Sequence, residues 1–199
     1  MKIALTGGIA CGKSTLAKFL KELGIRVLDA DDVVHELEAP GGAAVPAIQA
    51  AFGPEVISPD GGVDRRALAT VVFSDPARRR VLEGILFPRV RRRLVDFVAA
   101  SGRELRIAVI PLLFESHWEG DYDIILAIAS PQEVQVDRMM RTRGYTRAQA
   151  EARLAAQMPV AEKVARADFA VVNDATPQQL QEQTVRLVAW LKERIKHEH

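Results

Sequence analysis

Leu5-Thr6-Gly7-Gly8-Ile9-Ala10-Cys11-Gly12-Lys13-Ser14-Thr15 decides the architecture of this 199-residue chain. Within it, Gly7 to Ser14 fit the pattern Gly-x-x-x-x-Gly-Lys-[Ser/Thr]. The apolar run just before it, residues 2–6, reads as a buried strand. After it, Leu16, Phe19, Leu20 and Leu23 fall on one face of a helix over about 13–23, which Gly24 stops. Residues 25–28 form a second apolar run, ending in the acidic cluster Asp29-Ala30-Asp31-Asp32. Strand, loop, helix, strand makes a βαβ unit, and such a unit implies a parallel sheet.

Each part of the glycine-rich loop has a physical task. Glycines let the backbone turn where side chains would clash, so that successive N–H groups converge on phosphate oxygens. The following helix adds the positive end of its dipole. In such a loop the lysine, here Lys13, neutralises the β- and γ-phosphates, and the hydroxyl of Ser14 ligates Mg²⁺. Cys11 sits where a small residue must fit. It reads either as a space-filler or as a thiol whose pKa the helix N-terminus lowers.

Further along, Pro and Gly punctuate residues 40–63, with one short helix at about 44–52. Two helices follow, 76–87 and 89–100, separated at Pro88, with Leu82, Leu86, Val90, Leu94 and Val98 as apolar stripes. This block reads as helical without strands. Strand signals return at 106–110, 123–129 and 169–172, with helices at 131–142, 146–157 and 177–196. The expected fold is α/β: five parallel strands flanked by helices, with helical insertions after strands two and four.

Composition excludes several classes. Apolar residues make up 48% and charged residues 27%, which rules out wholesale disorder. No apolar run is long enough to span a membrane, and the N-terminus makes a poor secretory signal. A single cysteine gives no disulfide framework and points to a reducing, cytoplasmic setting. Neither Asp-x-x-Gly nor [Asn/Thr]-Lys-x-Asp occurs, so a GTPase switch is excluded. The strand at 107–110 runs into Pro111-Leu112-Leu113 with no carboxylate before Glu115, which speaks against a motor ATPase.

A phosphotransferase needs a base beside the acceptor hydroxyl and cations around the phosphoryl group. Asp29 and Asp31, just past strand two, stand at the sheet edge where ligands of open α/β sheets bind. Asp32 reads as the residue that caps the next helix. Arg138, Arg141, Arg143, Arg147 and Arg153 cluster on two successive helices and suit a lid over phosphates, or a solvated basic face. A different small-molecule kinase and a nucleotide-binding regulator remain open as alternatives.

Five stretches in order resemble the dephospho-CoA kinase family: Leu5–Thr15 (the family reads LTGGIGSGKST), Val27–Leu37, Val63–Pro76, Ile110–Glu115, and Arg153–Asp168 with Val171–Asn173. The resemblance covers nearly the whole chain. It implies a nucleoside-monophosphate-kinase type of P-loop fold with a core (1–38, 104–133, 167–199), a helical substrate subdomain (39–103) and a lid (134–166). It also implies transfer of the γ-phosphoryl of ATP to the ribose 3′-hydroxyl of dephospho-CoA, with Mg²⁺ as cofactor. By position, Asp31 is the general base and Lys13 the phosphate clamp. Gly8, Ile9, Ala10, Cys11, Gly12, Lys13, Ser14 and Thr15, with Arg138 and Asn173, hold ATP. Arg65, Arg66, Pro111, Leu112 and Leu113 join Asp31 on the acceptor side. The expected partners are these two small molecules, with no nucleic acid, membrane or obligate protein partner.

The chain departs from the family pattern at two places. Phe87-Pro88 stands where the family has His-Pro, and Thr142 where it has a second lid arginine, flanked here by Arg141 and Arg143. The overall charge of +1 hides a strong asymmetry. Residues 65–106 carry +7 and residues 138–166 carry +5, leaving −11 for the rest. Both cationic segments fall where phosphate-rich ligands are expected.

Overall fold

A computed structural model describes residues 1–73, 75–100 and 104–196. The strands are β1 (Ile3–Gly7), β2 (Arg26–Asp29), β3 (Arg106–Val109), β4 (Ile124–Ala129) and β5 (Phe169–Val172). The helices are α1 (Lys13–Glu22), α2 (Ala30–Glu38), α3 (Val45–Phe52), α4 (Arg65–Phe73), α5 (Pro76–Ala99), α6 (Gln132–Arg143), α7 (Arg147–Ala155), α8 (Val160–Ala165) and α9 (Pro177–Lys196).

The strands form one sheet in the order β2-β3-β1-β4-β5, with β1 parallel to both β3 and β4, and β4 parallel to β5. This is the five-stranded parallel sheet expected from the sequence. All five residues of β1 are buried, as befits a strand covered on both faces. Leu16 and Leu20 of α1 and Leu187 and Leu191 of α9 join Leu5, Ile107, Leu126 and Ile128 in one apolar core. The chain leaves β1 toward β2 on one side and β4 toward β5 on the other. The carboxyl ends of β1 and β4 therefore flank a topological switch point, where a crevice opens for ligands.

Contacts group the chain into two compact units: Met1–Leu28 together with the chain from Phe97 onward, and Asp29–Asp96. The second unit has its own core of Ala44, Ile48, Phe52, Val56, Leu68 and Leu86. Here the structure corrects the sequence reading in two ways. The helix does not break at Phe87-Pro88; α5 is continuous with Pro88 inside it. Its apolar positions Leu86, Val90, Leu94 and Val98 stay buried across the proline, so packing overrides the local penalty of a lost N–H. As expected, the described residues of the block form no strand; Ile57 and Val63 make an isolated antiparallel bridge. Finally, Asp29, not Asp32, caps α2, its Oδ1 accepting from the Asp31 amide at 2.9 Å.

The outer edge of β5 is closed by a side chain. Gln183 of α9 accepts from Val172 N at 3.0 Å and donates to Val172 O at 2.7 Å, filling the place of a neighbouring strand. Gln183→Ala should lower the unfolding free energy by about 1–2 kcal/mol, read in urea melts, and raise concentration-dependent self-association.

Candidate active site

The loop from Gly7 to Ser14 joins β1 to α1 at the switch point. Gly12 has φ +92, and a Cβ there would run into Asn173 Nδ2. Gly7 lies so close to Ile128 O that a Cβ would collide with it. These two positions are closed to any side chain. Ala10 is different: it carries a Cβ at φ +57, a left-handed conformation that costs an L-residue about 1–2 kcal/mol.

Four carbonyls of the loop, those of Gly7, Gly8, Ala10 and Cys11, have side-chain donors. Lys13 Nζ donates to Gly7 O at 2.8 Å and Gly8 O at 2.7 Å. Arg138, on α6, donates to Ala10 O at 3.2 Å, to Ser130 Oγ at 3.0 Å and to Asn173 O at 3.2 Å. Asn173, at the end of β5, donates through Nδ2 to Cys11 O at 2.8 Å. Ser130 Oγ in turn donates to Asn173 O, and Gln135 Nε2 to Ser130 O at 2.7 Å. Ser130, Gln135 and Asn173 are all buried. With those four carbonyls committed, the loop is left with N–H groups to offer, and an anion is their natural partner.

Lys13, Arg138 and Asn173 thus meet around the loop. Ser130 and Gln135 were missed by sequence reasoning. The available signal was a serine closing an apolar strand, with a glutamine five residues on at a buried helix position. Ser14 is exposed in the first turn of α1. Among the described residues no group of three or more His, Cys, Asp or Glu could hold a metal ion. A lone hydroxyl would suit a Mg²⁺ ion that arrives with a triphosphate.

A cavity of about 430 Å³ opens beside the loop. Gly8 and Ile9 form one part of its lining, and Gln135, Leu154 and residues 157–161 form others. Near it, the basic helices are less free than their sequence suggests. Arg141 pairs with Asp137 at 2.6 Å, Arg147 pairs with Glu133 and Glu151, and Arg153 lies over the Tyr145 ring at 4.5 Å. Thr142 bonds back to Arg138 O at 2.7 Å. Arg143, among the described residues, has no ion-pair partner.

Past β3, Leu112 is exposed and Leu113 buried. In the second unit, Asp31 is exposed in the first turn of α2, and Arg66 is exposed at the start of α4. Arg65 Nε pairs with the buried Glu38 carboxylate at 2.7 Å.

A model of the dephospho-CoA kinase family matches residues 1–179. The chain belongs to the dephospho-CoA kinase family. It is 46% identical to the dephospho-CoA kinase of Anaeromyxobacter dehalogenans over 193 residues, covering 96% of this chain and 92% of that one. The dephospho-CoA kinase of Symbiobacterium thermophilum is 45% identical over 174 residues, covering 86% and 73%. Among solved structures, TT1252 from Thermus thermophilus superposes with a TM-score of 0.79 at 37% identity, covering 95% of this chain and 96% of that chain. This family member is thus a kinase with the expected P-loop fold, and no described helix is long and apolar enough to cross a membrane.

Cys11 corrects the sharper of its two readings. The thiol is fully buried, and desolvation raises its pKa above the usual value of 9.0, outweighing the opposing pull of the Lys13 charge. The folded state therefore favours the neutral thiol. That contribution is present below the unfolded pKa and fades as pH rises through the higher folded one. Iodoacetamide should label native Cys11 far more slowly than the urea-unfolded chain at pH 8, and urea stability should fall above about pH 9 in wild type but not in Cys11→Ser.

Proposed function

We propose that the chain transfers the γ-phosphoryl group of ATP to the ribose 3′-hydroxyl of dephospho-CoA, releasing CoA and ADP as the last step of coenzyme A synthesis. The observation that carries this reading is the pre-satisfied phosphate loop, in a chain that matches the dephospho-CoA kinase family almost end to end.

In this reading Gly8 to Thr15 cradle the triphosphate and Lys13 leaves its two loop carbonyls for the β- and γ-phosphates. Ser14 would hold Mg²⁺, which would offset the charge of the phosphates. Arg138 and Asn173 hold the loop and border the nucleotide. Arg143 stands in for the family's second lid arginine, since Arg141 is held by Asp137 and Thr142 has no charge. Asp31 accepts the proton of the 3′-hydroxyl. Its suitability follows from chain position: β2 ends two residues earlier, and Asp29 carries the capping duty, leaving the Asp31 carboxylate exposed. Arg65 and Arg66, with Pro111 to Leu113, receive the acceptor. Residues 39–103 then form the acceptor-binding subdomain and 134–166 the lid. A cytoplasmic location rests on the lone free thiol, which a reducing compartment preserves.

A coupled assay for ADP over dephospho-CoA, AMP, UMP, shikimate and gluconate tests the acceptor. Turnover should be confined to dephospho-CoA, and none with it refutes the reading. Asp31→Asn should lower kcat by about 10²–10⁴-fold while ATP affinity, measured by calorimetry, stays within about twofold. Equal losses in both would make Asp31 a binding residue instead.

A further inference from the structure

Lys163 of α8 is fully buried, with no side-chain exposure. Its ammonium donates to Pro111 O at 2.8 Å and pairs with Glu115 Oε1 at 2.7 Å. The same Glu115 oxygen accepts the Met158 amide at 3.1 Å, and Pro111 O also faces the Thr6 hydroxyl at 3.4 Å. One charge therefore joins four stretches of chain: α8, the turn before it, the segment after β3, and the residue preceding the phosphate loop.

Stability alone does not call for this arrangement. A buried ion pair is commonly matched or bettered by apolar side chains of similar volume, so its presence points to a need for fixed geometry. The geometry it fixes is visible. Residues 157–161, which Glu115 and Lys163 anchor, line the cavity that Gly8 and Ile9 of the phosphate loop also line. On its other side the pair holds Pro111, at the head of the segment proposed to receive the acceptor.

We propose that Lys163 is a positioning residue for phosphoryl transfer. Through Pro111 O and Glu115 it sets the distance between the cavity wall at 157–161, the segment 111–113 and the phosphate loop, without itself touching either substrate. This rests on the transfer reading given above. An approach geometry loosened by about 1 Å is enough to cost roughly a hundredfold in rate. The cost falls on the acceptor side, because ATP is held by the loop and its own donors.

The test compares wild type, Lys163→Met and Glu115→Gln, all checked for folding by circular dichroism. Three readouts are taken: steady-state constants with dephospho-CoA, calorimetric ATP affinity, and amide exchange at residues 112–115, 157, 158, 160 and 161. Lys163→Met should lower kcat/KM for dephospho-CoA by about ten- to a hundredfold with ATP affinity within about twofold, and Met158 should exchange faster. Glu115→Gln, which keeps the shape and most hydrogen bonds, should fall between the two. A folded variant with unchanged kinetics and only a lower Tm overturns the proposal, as does an equal loss of ATP affinity. Should Lys163→Met fail to fold, Glu115→Gln decides on the same criteria. If wild type does not turn over dephospho-CoA, the transfer reading has failed, and amide exchange then judges the clamp: unchanged exchange in the variants overturns it.

Discussion

A peptide loop that turns its N–H groups toward an anion must send its carbonyl oxygens the other way, and those oxygens need donors. Most of the site's architecture follows from this requirement. Until phosphate draws Lys13 away, Gly7 and Gly8 are answered by Lys13; Ala10 is answered by Arg138 and Cys11 by Asn173. The donors come from three separate elements, α1, α6 and the end of β5, so the loop takes its shape only once the sheet has brought those elements together. An unsatisfied buried carbonyl costs about 1–3 kcal/mol. Sheet order thereby becomes a chemical requirement: with β4 and β5 on the same side of β1, their following segments supply Ser130, Arg138 and Asn173 to one place.

Charge plays a second role beyond recognition. Several residues that look like phosphate ligands in a linear reading are occupied within the protein. Arg141 and Arg147 hold acidic partners, Arg153 covers a tyrosine ring, and Lys163 lies inside the molecule. The cationic surplus of residues 138–166 is thus partly structural, and only a fraction of it is available to a ligand. Arg143, which has no ion-pair partner among the described residues, stands next to the position where the family pattern has its own.

How much of this the sequence disclosed depended on range. The buried run of β1, the glycine spacing and the leucine stripe of α1 are local signals, and they placed the loop and the fold correctly. The continuity of α5 through Pro88 was hidden, because the rule that helices end before proline is local whereas the burial that overrides it is tertiary. α4, with Leu68 as its fully buried residue, and the six-residue α8 are too weakly patterned or too short for periodicity to reveal. Lys163 was illegible for the same reason: its partners lie far away in sequence, and nothing nearby distinguishes it from an ordinary surface lysine. The capping role of Asp29 rather than Asp32 turned on where β2 ends, a boundary set by sheet pairing.

Ala10 has a meaning beyond its strain. Where the family has glycine, this chain has a side chain held at φ +57. Glycine there would leave the unfolded loop many alternatives, whereas alanine leaves fewer. That smaller unfolded-state entropy offsets part of the strain, and the turn is set as the chain folds, before any ligand arrives.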